Sequence, residues 1–330
     1  MKALIIAATL LLAGCESMSF YAQAIGGHLS VMRAARPVET WLADPATPPV
    51  LRDRLQMAQR IREFASRELG LPENGSYHSY ADLGRSYVAW NVYAAPVFSV
   101  EPLKECFPVT GCVSYRGFFK EEDARRHAEK LRLAGNDVHI GGVPAYSTLG
   151  WFDDPLLSTF ILYPESQLAR LLFHELAHQV IYARNDTTFN ESFAVVVEEE
   201  GVRRWLRAQR REAELEAFRA VQRRKREFAA AVEDTRARLA KLYGSGVSRE
   251  AMEAGKRAEF AQLRERFGAI VPAQPNNAFL VSVSVYTQLV PAFERLLAES
   301  GGELPAFYGR VRELAATERS SRDPLLAQRP

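Results

Sequence analysis

The sequence lacks a strong charge of either sign. Its 42 lysines and arginines nearly balance its 40 aspartates and glutamates, which leaves a formal net charge of +2. This balance gives no bulk electrostatic reason to expect a nucleic acid partner. The sequence shows no internal repeat, and beyond its first residues no hydrophobic run is long enough to span a bilayer. What remains is a chain of 330 residues, 47% apolar, enough for one large domain or two modest ones.

Cysteine is scarce as well, and the first of the three cysteines lies near the start of the chain. Met1-Lys2 precedes a short apolar run that ends in small residues, which is typical of a secretory signal and too short for a spanning helix. Leu12-Ala13-Gly14-Cys15 resembles the bacterial lipobox. The resemblance implies a signal peptide over 1–14 and a lipid on Cys15. An ordinary signal peptide with an incidental cysteine is the alternative.

The location of the mature protein follows from the same resemblance. Glu16 follows the cysteine, in place of the aspartate associated with retention at the inner membrane. The expected location is therefore the outer membrane, facing the periplasm, with the lipid on Cys15 as the membrane contact. More than one acyl chain would be needed, because a single chain binds a bilayer only marginally.

The other two cysteines, Cys106 and Cys112, bracket a turn that contains proline and glycine. In an oxidising compartment this spacing predicts a disulfide. A second metal site is the weaker alternative, because no histidine or further cysteine lies close in sequence. The bond is expected to tie a hairpin between strands at 88–93 and 113–115, where alternation and aromatic residues favour strands.

The strongest motif of the chain is His174-Glu175-Leu176-Ala177-His178. It lies in an apolar stretch over 167–181 without proline or glycine, which predicts a helix. Two histidines four residues apart lie on the same face of a helix, so their imidazole nitrogens can converge on one cation. Glu175 can then reach a water held by that cation and act as a general base. The motif is that of zinc peptidases, and we expect one Zn²⁺ per chain.

A surface location is the alternative for this motif, with two solvated histidines beside a solvated glutamate. The neighbouring residues argue against it because they are apolar: Leu171, Leu172, Leu176, Val180 and Ile181. A helix that is apolar on most sides is buried, and buried ionisable groups need partners.

Glu191 is the expected third ligand. It follows a break at 184–188 and begins a second helix. A carboxylate here would complete a His-His-Glu set and leave a fourth position for water. Alternatively, Thr188 and Glu191 have the spacing of a capping box, in which Glu191 would only cap the helix. Were Glu191 only a cap, Glu198, two helical turns further on, would be the next candidate ligand.

Asn190-Glu191-Ser192-Phe193-Ala194 resembles the second zinc motif of gluzincin aminopeptidases, Asn-Glu-Gly-Phe-Ala, in which the glutamate binds zinc. The spacer between the two motifs is shorter here than in those enzymes. The resemblance implies ligand chemistry of the same kind, with His174, His178 and Glu191 around the metal.

The segment 143–155 between the last expected strands is dense in glycine, proline, aromatic and acidic residues. Strands are expected at 88–98, 112–119, 137–141 and 159–163, with a helix at 120–134. A strand edge beside the metal helix could pair with an extended substrate, and 143–155 is placed to do so. A structural loop is the equal alternative. Asp153 or Asp154 is a candidate to bind a substrate ammonium group.

Residues 201–267 alternate basic and acidic side chains around a narrow apolar stripe. This pattern predicts a helical hairpin that turns at Gly244-Ser245-Gly246. The interspersed acids favour a solvated hairpin that shields the site over an arm that binds anionic lipid or a partner. The C-terminal helical part is expected at 268–316, after a first catalytic part at 15–200, and a flexible tail at 317–330.

A tyrosine beyond the zinc motifs is expected to donate a hydrogen bond to the developing oxyanion, as is common in zinc enzymes with a glutamate ligand. Tyr286 is the first candidate and Tyr146 the second; a buried structural role is the alternative for both.

Taken over nearly the whole mature chain, the lipobox, the two zinc motifs and the segments Asn276-Asn277-Ala278 and Val290-Pro291-Ala292-Phe293-Glu294 resemble a family of predicted bacterial aminopeptidases. The resemblance implies a zinc aminopeptidase that acts on peptides. The expected fold class is α+β, predominantly helical and zincin-like, with a small sheet beside the active-site helix. A zinc endopeptidase or cell-wall amidase is the first alternative, and a non-catalytic lipoprotein scaffold is the second. An intact Glu175 speaks against the scaffold, because a structural zinc site has no use for that acid.

Overall fold

The computed structural model describes residues 21–107 and 111–327. The expected signal peptide over 1–14 and the lipid site Cys15 lie outside the described residues. In chain order the helices are α1 (21–34), α2 (Val38–Ala43), α3 (Pro49–Leu69), α4 (Glu121–Leu133), α5 (Glu165–Val180), α6 (Thr187–Ala208), α7 (Glu212–Tyr243), α8 (Arg249–Phe267), α9 (Asn277–Thr287), α10 (Val290–Glu299), α11 (Leu304–Ala316) and α12 (Arg319–Ala327). The strands are β1 (Ala35–Pro37), β2 (Ser79–Ala81), β3 (Ala89–Pro96), β4 (Glu105–Phe107), β5 (Gly111–Val113), β6 (Arg116–Phe118), β7 (Asn136–Val143) and β8 (Leu156–Leu157).

These elements confirm a predominantly helical α+β chain. Helix α3 ends where the glycine at position 70 predicts: Gly70 has φ +64°, a left-handed conformation that glycine adopts without steric cost. The expected strand at 159–163 is wrong. Those residues form turns after the two-residue strand β8, and Ile161 N donates to Leu157 O.

The sheet nearest the metal motif has the strand order β6-β3-β7, and its pairs are antiparallel. Alternation along β3 divides its side chains between two faces. Trp90, Val92 and Ala94 pack with α4, whereas Tyr93 and Ala95 pack with α9. The face of β3 that carries Tyr93 and Ala95 is therefore covered by α9 and lies inside the molecule. The expected pairing of this strand with 113–115 is wrong, because β3 pairs with β6, which begins at Arg116.

Cys106 and Cys112 lie opposite each other in the β4–β5 pair and are joined by a disulfide. The hairpin that they close is thus β4–β5 itself. Its backbone rests on the loop after α5, because Cys112 N donates to Asn185 Oδ1 over 3.1 Å. The disulfide hairpin therefore lies beside the metal motif, although the two are far apart in sequence.

Helices α5 and α6 form the centre of the main hydrophobic core. Phe173 of α5 and Phe193 of α6 are both fully buried. The two helices approach α3 closely at Gly201, where a Cβ atom would come within 2.6 Å of Phe173 and 2.8 Å of Leu69. Burial of such aromatic side chains is the dominant stabilising term in a core of this kind. It fixes the relative position of α5 and α6.

Helix α9 is fastened to the sheet by the Asn276-Asn277 pair. Asn276 caps the helix by accepting a hydrogen bond from Phe279 N. Asn277 donates from its backbone to Asp137 over 2.9 Å and from its side chain to Val97 O over 2.8 Å. These asparagines therefore satisfy backbone groups, and their role is to hold α9 against β3 and β7.

The charged hairpin consists of α7 and α8, which turn at 244–248 as predicted. Its expected first residues, 201–208, instead complete α6. The apolar stripe of α7 is buried, with Leu215 and Phe218 in the main core and Val232 in a second core shared with α8 and α9. Val221, another apolar residue of α7, is 47% exposed.

The expected flexible tail at 317–330 differs from the structure over its described part, 317–327, where α12 forms. The reason is contact with distant parts of the chain. Arg322 is 3% exposed and pairs with Asp186, the residue that caps α6, and Leu326 is buried in the main core. These long-range contacts position a short helix that its own sequence would not predict. Among the described residues, no helix is long and apolar enough to cross a membrane.

Candidate metal centre

Two antiparallel helices and a tight connection bring the zinc motifs together. Helix α6 begins at Thr187, and Asp186 caps it by accepting a hydrogen bond from Phe189 N. The alternative in which Glu191 is only a cap, in a box with Thr188, is therefore wrong. Asn190 clamps the connection, since its side chain accepts from Ala183 N at 2.7 Å and donates to Ala183 O at 2.9 Å.

The expected ligands His174, His178 and Glu191 meet at one point. His174 Nε2 lies 3.2 Å from His178 Nε2 and 3.2 Å from Glu191 Oε2, and His178 Nε2 lies 3.7 Å from the same oxygen. Ligand atoms held about 2.1 Å from a tetrahedral cation are roughly 3.4 Å apart. The donor set and its spacing therefore fit a zinc ion.

Glu198 contacts the ring nitrogen of His174 that does not face His178 and Glu191. It lies 2.9 Å from His174 Nδ1, and Arg170 donates to both its oxygens at 2.7 and 3.0 Å. A carboxylate that accepts from the second nitrogen of a metal-binding histidine fixes its tautomer and ring orientation. The sequence offered a signal for this role, because Glu198 lies two turns after Glu191 and Arg170 one turn before His174. The sequence pattern predicted Glu198 only as a substitute for Glu191 in the ligand set.

The electrostatics of this cluster favour a positive charge at its centre. Burial would lower the pKa of His174, but the carboxylates of Glu191 and Glu198 outweigh it and raise that pKa to about 10. Burial would raise the pKa of Glu191, yet His178 and His174 lower it to about 2. Glu198 is likewise held at about 2 against burial, by Arg170 and His174. Buried carboxylates that face two histidines in this way also favour a cation between these ligands.

Glu175 lies next to the ligands and lines the same cleft, although only 7% of it is exposed. Burial raises its pKa, and the neighbouring His174 and His178 partly offset that effect. A carboxyl group with a raised pKa beside a metal site is a better proton acceptor than an ordinary carboxylate.

The cleft in front of the ligands has a volume of about 990 Å³. It is large enough for several residues of an extended peptide. Val143 to Ser147 line one wall, so the first part of the segment 143–155 borders the site. The exposed Trp151 and Phe152 do not line it.

The acids expected to bind an ammonium group lie elsewhere. Asp154 is 2% exposed, and its Oδ2 accepts from Thr148 N over 2.8 Å. Burial raises its pKa to about 6. Asp153 is exposed. The structure brings neither residue into the lining of the cleft.

Both predicted tyrosines line the cleft, but their hydroxyls already have partners. The hydroxyl of Tyr286 hydrogen-bonds to that of Tyr93, and the hydroxyl of Tyr146 lies 2.8 Å from His28 Nδ1. Tyr115 also lines the cleft and is not among the residues predicted from the sequence. Its ring lies 5.2 Å from that of Tyr93, and burial, together with the charges of Glu191 and Glu175, raises its pKa well above the usual value. No sequence signal marked Tyr115, because the β4–β5 hairpin brings it here.

Comparison with known proteins places the chain at the level of a family. The family model described as "Putative aminopeptidase" matches residues 19–326. No match was found among curated proteins or among solved structures. The matched span covers both zinc motifs, the cleft and the charged hairpin. The chain therefore belongs to this aminopeptidase family.

Proposed function

We propose that the protein is a zinc-dependent aminopeptidase with a gluzincin-type ligand set in a zincin-like fold. One observation carries the proposal. Three ligand atoms from two helices converge at tetrahedral spacing, and Glu175 lies beside them in a peptide-sized cleft. A non-catalytic scaffold would not need Glu175, since a structural zinc site uses no general base.

Zinc bound to His174, His178 and Glu191 would acidify a water molecule and polarise the carbonyl of the scissile bond. The protein's own residues manage the protons. The Glu175 carboxylate accepts a proton from the attacking water and donates it to the leaving amine. Glu198 keeps a proton on His174 Nδ1, so that Nε2 presents its lone pair to the cation.

Tyr115 is our candidate for the donor to the oxyanion, with Tyr286 as the alternative. Both line the cleft, and the charge of Glu191 affects both. We favour Tyr115 because, within the described part of the chain, its hydroxyl does not donate a hydrogen bond to another residue. Tyr115→Phe should lower kcat more than Tyr286→Phe. The opposite ranking would assign the role to Tyr286, and equal mild effects would remove both.

The amino-terminal mode of attack rests on the shape of the cleft. Helix α7 forms its wall on one side, and Arg226 of α7 pairs with Glu199 of α6 at 2.8 Å and with Glu294 of α10 at 3.4 Å. A cleft closed in this way limits how far a substrate can extend. We therefore propose that short peptides are cut one residue at a time from the amino terminus.

The test combines a metal measurement with two matched peptides. The purified protein should contain about one zinc per chain, and it should release the first residue of a short peptide. Acetylation of the amino terminus should reduce kcat/KM at least about tenfold, because an aminopeptidase must bind the free ammonium group of its substrate and acetylation removes that charge. Equal cleavage of both peptides, or internal cuts in an unfolded protein, would indicate an endopeptidase. Absence of metal would exclude the zinc mechanism.

We further propose that a lipid on Cys15 attaches the protein to the outer membrane, facing the periplasm. The support is the lipobox-like sequence alone. Cys15→Ser should move the protein from the membrane fraction to the soluble periplasmic fraction without changing its metal content. Membrane retention of that variant would contradict the proposal.

A further inference from the structure

The inner face of α7 carries polar side chains into the cleft that the proposed peptidase site occupies. Gln222, Lys225, Arg226 and Glu233 line the cleft from this helix, with the small residues Ala229 and Ala230 between them. Residues three and four apart share a helix face, so Gln222, Lys225 and Arg226 form one patch. The two alanines leave room beside it for a ligand.

Most charges around this patch are already neutralised. Arg226 pairs with Glu199 at 2.8 Å, and Glu233 pairs with Arg236 at 3.1 Å. Glu198, on the opposite wall, pairs with Arg170 at 2.7 Å. Lys225 is the exception, because it forms no ion pair with any of the described residues. Lys225 is therefore the cationic side chain of this patch that has no ion-pair partner in the described part of the chain.

Gln222 is unusual for a second reason. It is 2% exposed, and neither its amide nitrogen nor its amide oxygen has a hydrogen-bond partner among the described residues. An amide withdrawn from water without a partner is costly, so native proteins rarely leave one unpaired. Its neighbours on the buried stripe of α7 are mostly apolar, and a leucine would fit that stripe better. The side chain is therefore placed for a partner that enters through the cleft.

Lys225 is close to the reacting centre. Lys225 lines the same cleft as His174 and Glu198, and its neighbour Arg226 pairs with Glu199, the residue that follows Glu198. A group bound at Lys225 therefore belongs to the same short substrate as the scissile bond. The N–H groups of an amide and of an ammonium are both donors, and together they suit a carboxylate.

We propose that Gln222 and Lys225 form a carboxylate-binding subsite that selects short peptides by an acidic group near the scissile bond. The carboxylate is either the carboxy terminus of the peptide or an acidic side chain. The inference rests on the proposed function and narrows its substrate class, since a terminal carboxylate at a fixed distance selects substrate length.

Binding to an inactive variant tests the subsite without depending on catalysis. Oligoalanines of two to five residues, each as the free acid and as the carboxy-terminal amide, are titrated into zinc-loaded Glu175→Gln protein. We expect the free acid to bind at least about tenfold more tightly at one length. Adding Lys225→Met should reduce this ratio to within about twofold, and adding Gln222→Leu should reduce it in part. A second set with amidated ends compares an internal glutamate with glutamine.

The matched control is Arg223→Met, which removes a positive charge from an exposed position of the same helix that does not line the cleft. This variant should keep the full preference, and both methionine variants should keep the unfolding temperature of the parent. A preference for glutamate over glutamine, with none for the free terminus, would identify a side chain as the ligand.

No preference in either set, or a preference that survives Lys225→Met, would overturn the subsite even if the enzyme cleaves peptides. Selective binding without cleavage by the wild-type enzyme would keep the subsite and overturn the proposed peptidase.

Discussion

Two pairs of helices in this protein carry many charged side chains, and they use them differently. In the α5–α6 pair, His174, Glu175, Glu191 and Glu198 are each less than 10% exposed. In the α7–α8 hairpin, most ion pairs lie at the surface, such as Arg249 with Glu253, whose side chains are 70% and 43% exposed. Water compensates the second group of charges, whereas only partners or a cation can compensate the first.

Buried charges indicate a functional site more strongly than charges at the surface do. A buried charge requires several compensating contacts, so each of those contacts constrains the geometry of the site. A surface ion pair constrains little, and its contribution is close to zero after the entropy of ordering two long side chains. The inner face of α7 is an exception to the surface location of polar side chains in the hairpin, because Gln222 is buried there and Lys225 lines the cleft.

The largest expected effect is a loss of turnover, caused by substitutions in the α5–α6 pair. Glu175→Gln should keep zinc bound and reduce kcat by about 10²–10⁴-fold, the usual contribution of a general base. His178→Ala should lose both metal and activity, because it removes a ligand. Metal content and peptide turnover, measured on the same preparations, check both variants. Wild-type activity in Glu175→Gln would remove Glu175 from the mechanism.

The next largest expected effect is on zinc affinity, and it distinguishes Glu191 from Thr188, which lies on the same turn of α6. Glu191→Ala should weaken zinc affinity by more than about 100-fold, beyond the range for residues outside the first coordination shell. Thr188→Ala is the matched control and should change affinity very little, because Asp186 and not Thr188 caps α6. Competition with a chelator of known affinity gives both values. Similar affinities for the two variants would exclude Glu191 as a ligand.

Glu198 is expected to have a smaller effect, because it acts through His174. Glu198→Gln keeps an oxygen that can accept from His174 Nδ1 but removes the charge. Zinc affinity should fall by about 10–100-fold. Glu198→Asp, which restores the charge on a shorter side chain, should recover part of the loss. Unchanged affinity in Glu198→Gln would show that the 2.9 Å contact does not support the metal site.

The smallest effect is expected in the hairpin, which serves as the reference for the others. Arg249→Ala removes an exposed ion pair with Glu253 and should change the free energy of unfolding by no more than about 0.5 kcal/mol. Urea denaturation at low and high salt measures this change and its screening. A loss above about 2 kcal/mol would show that the exposed ion pairs of the α7–α8 hairpin matter for stability, contrary to the difference between the two helix pairs.

Several features of the site could be predicted because they depend on one helix. The spacing of His174 and His178 fixes them on one face of α5, whatever the rest of the chain does. The resemblance of the second motif identified Glu191, which the structure brings to the same point. The composition of 201–267 predicted a hairpin, although its start was wrong because no glycine or proline separates α6 from the residues that follow it.

Other features could not be predicted because they depend on contacts between distant elements. Asp154 was a plausible ammonium ligand by composition, but its loop folds so that Thr148 N satisfies it inside the protein. Tyr115 comes to the cleft because the β4–β5 hairpin rests on the loop after α5. The tail was expected to be flexible, yet Arg322 finds a buried partner in Asp186, more than a hundred residues earlier.

The sequence by itself determined the residue types of the candidate metal centre, their spacing on α5 and the helical character of the chain, because these follow from residue chemistry and the 3.6-residue period. Only the tertiary structure decided that Glu198 and Arg170 contact each other beside His174, and that Tyr115, Gln222 and Lys225 line the cleft. The physical reason is that helix periodicity fixes directions within one element. The distance between two elements is set by packing of the whole core, which no local pattern encodes.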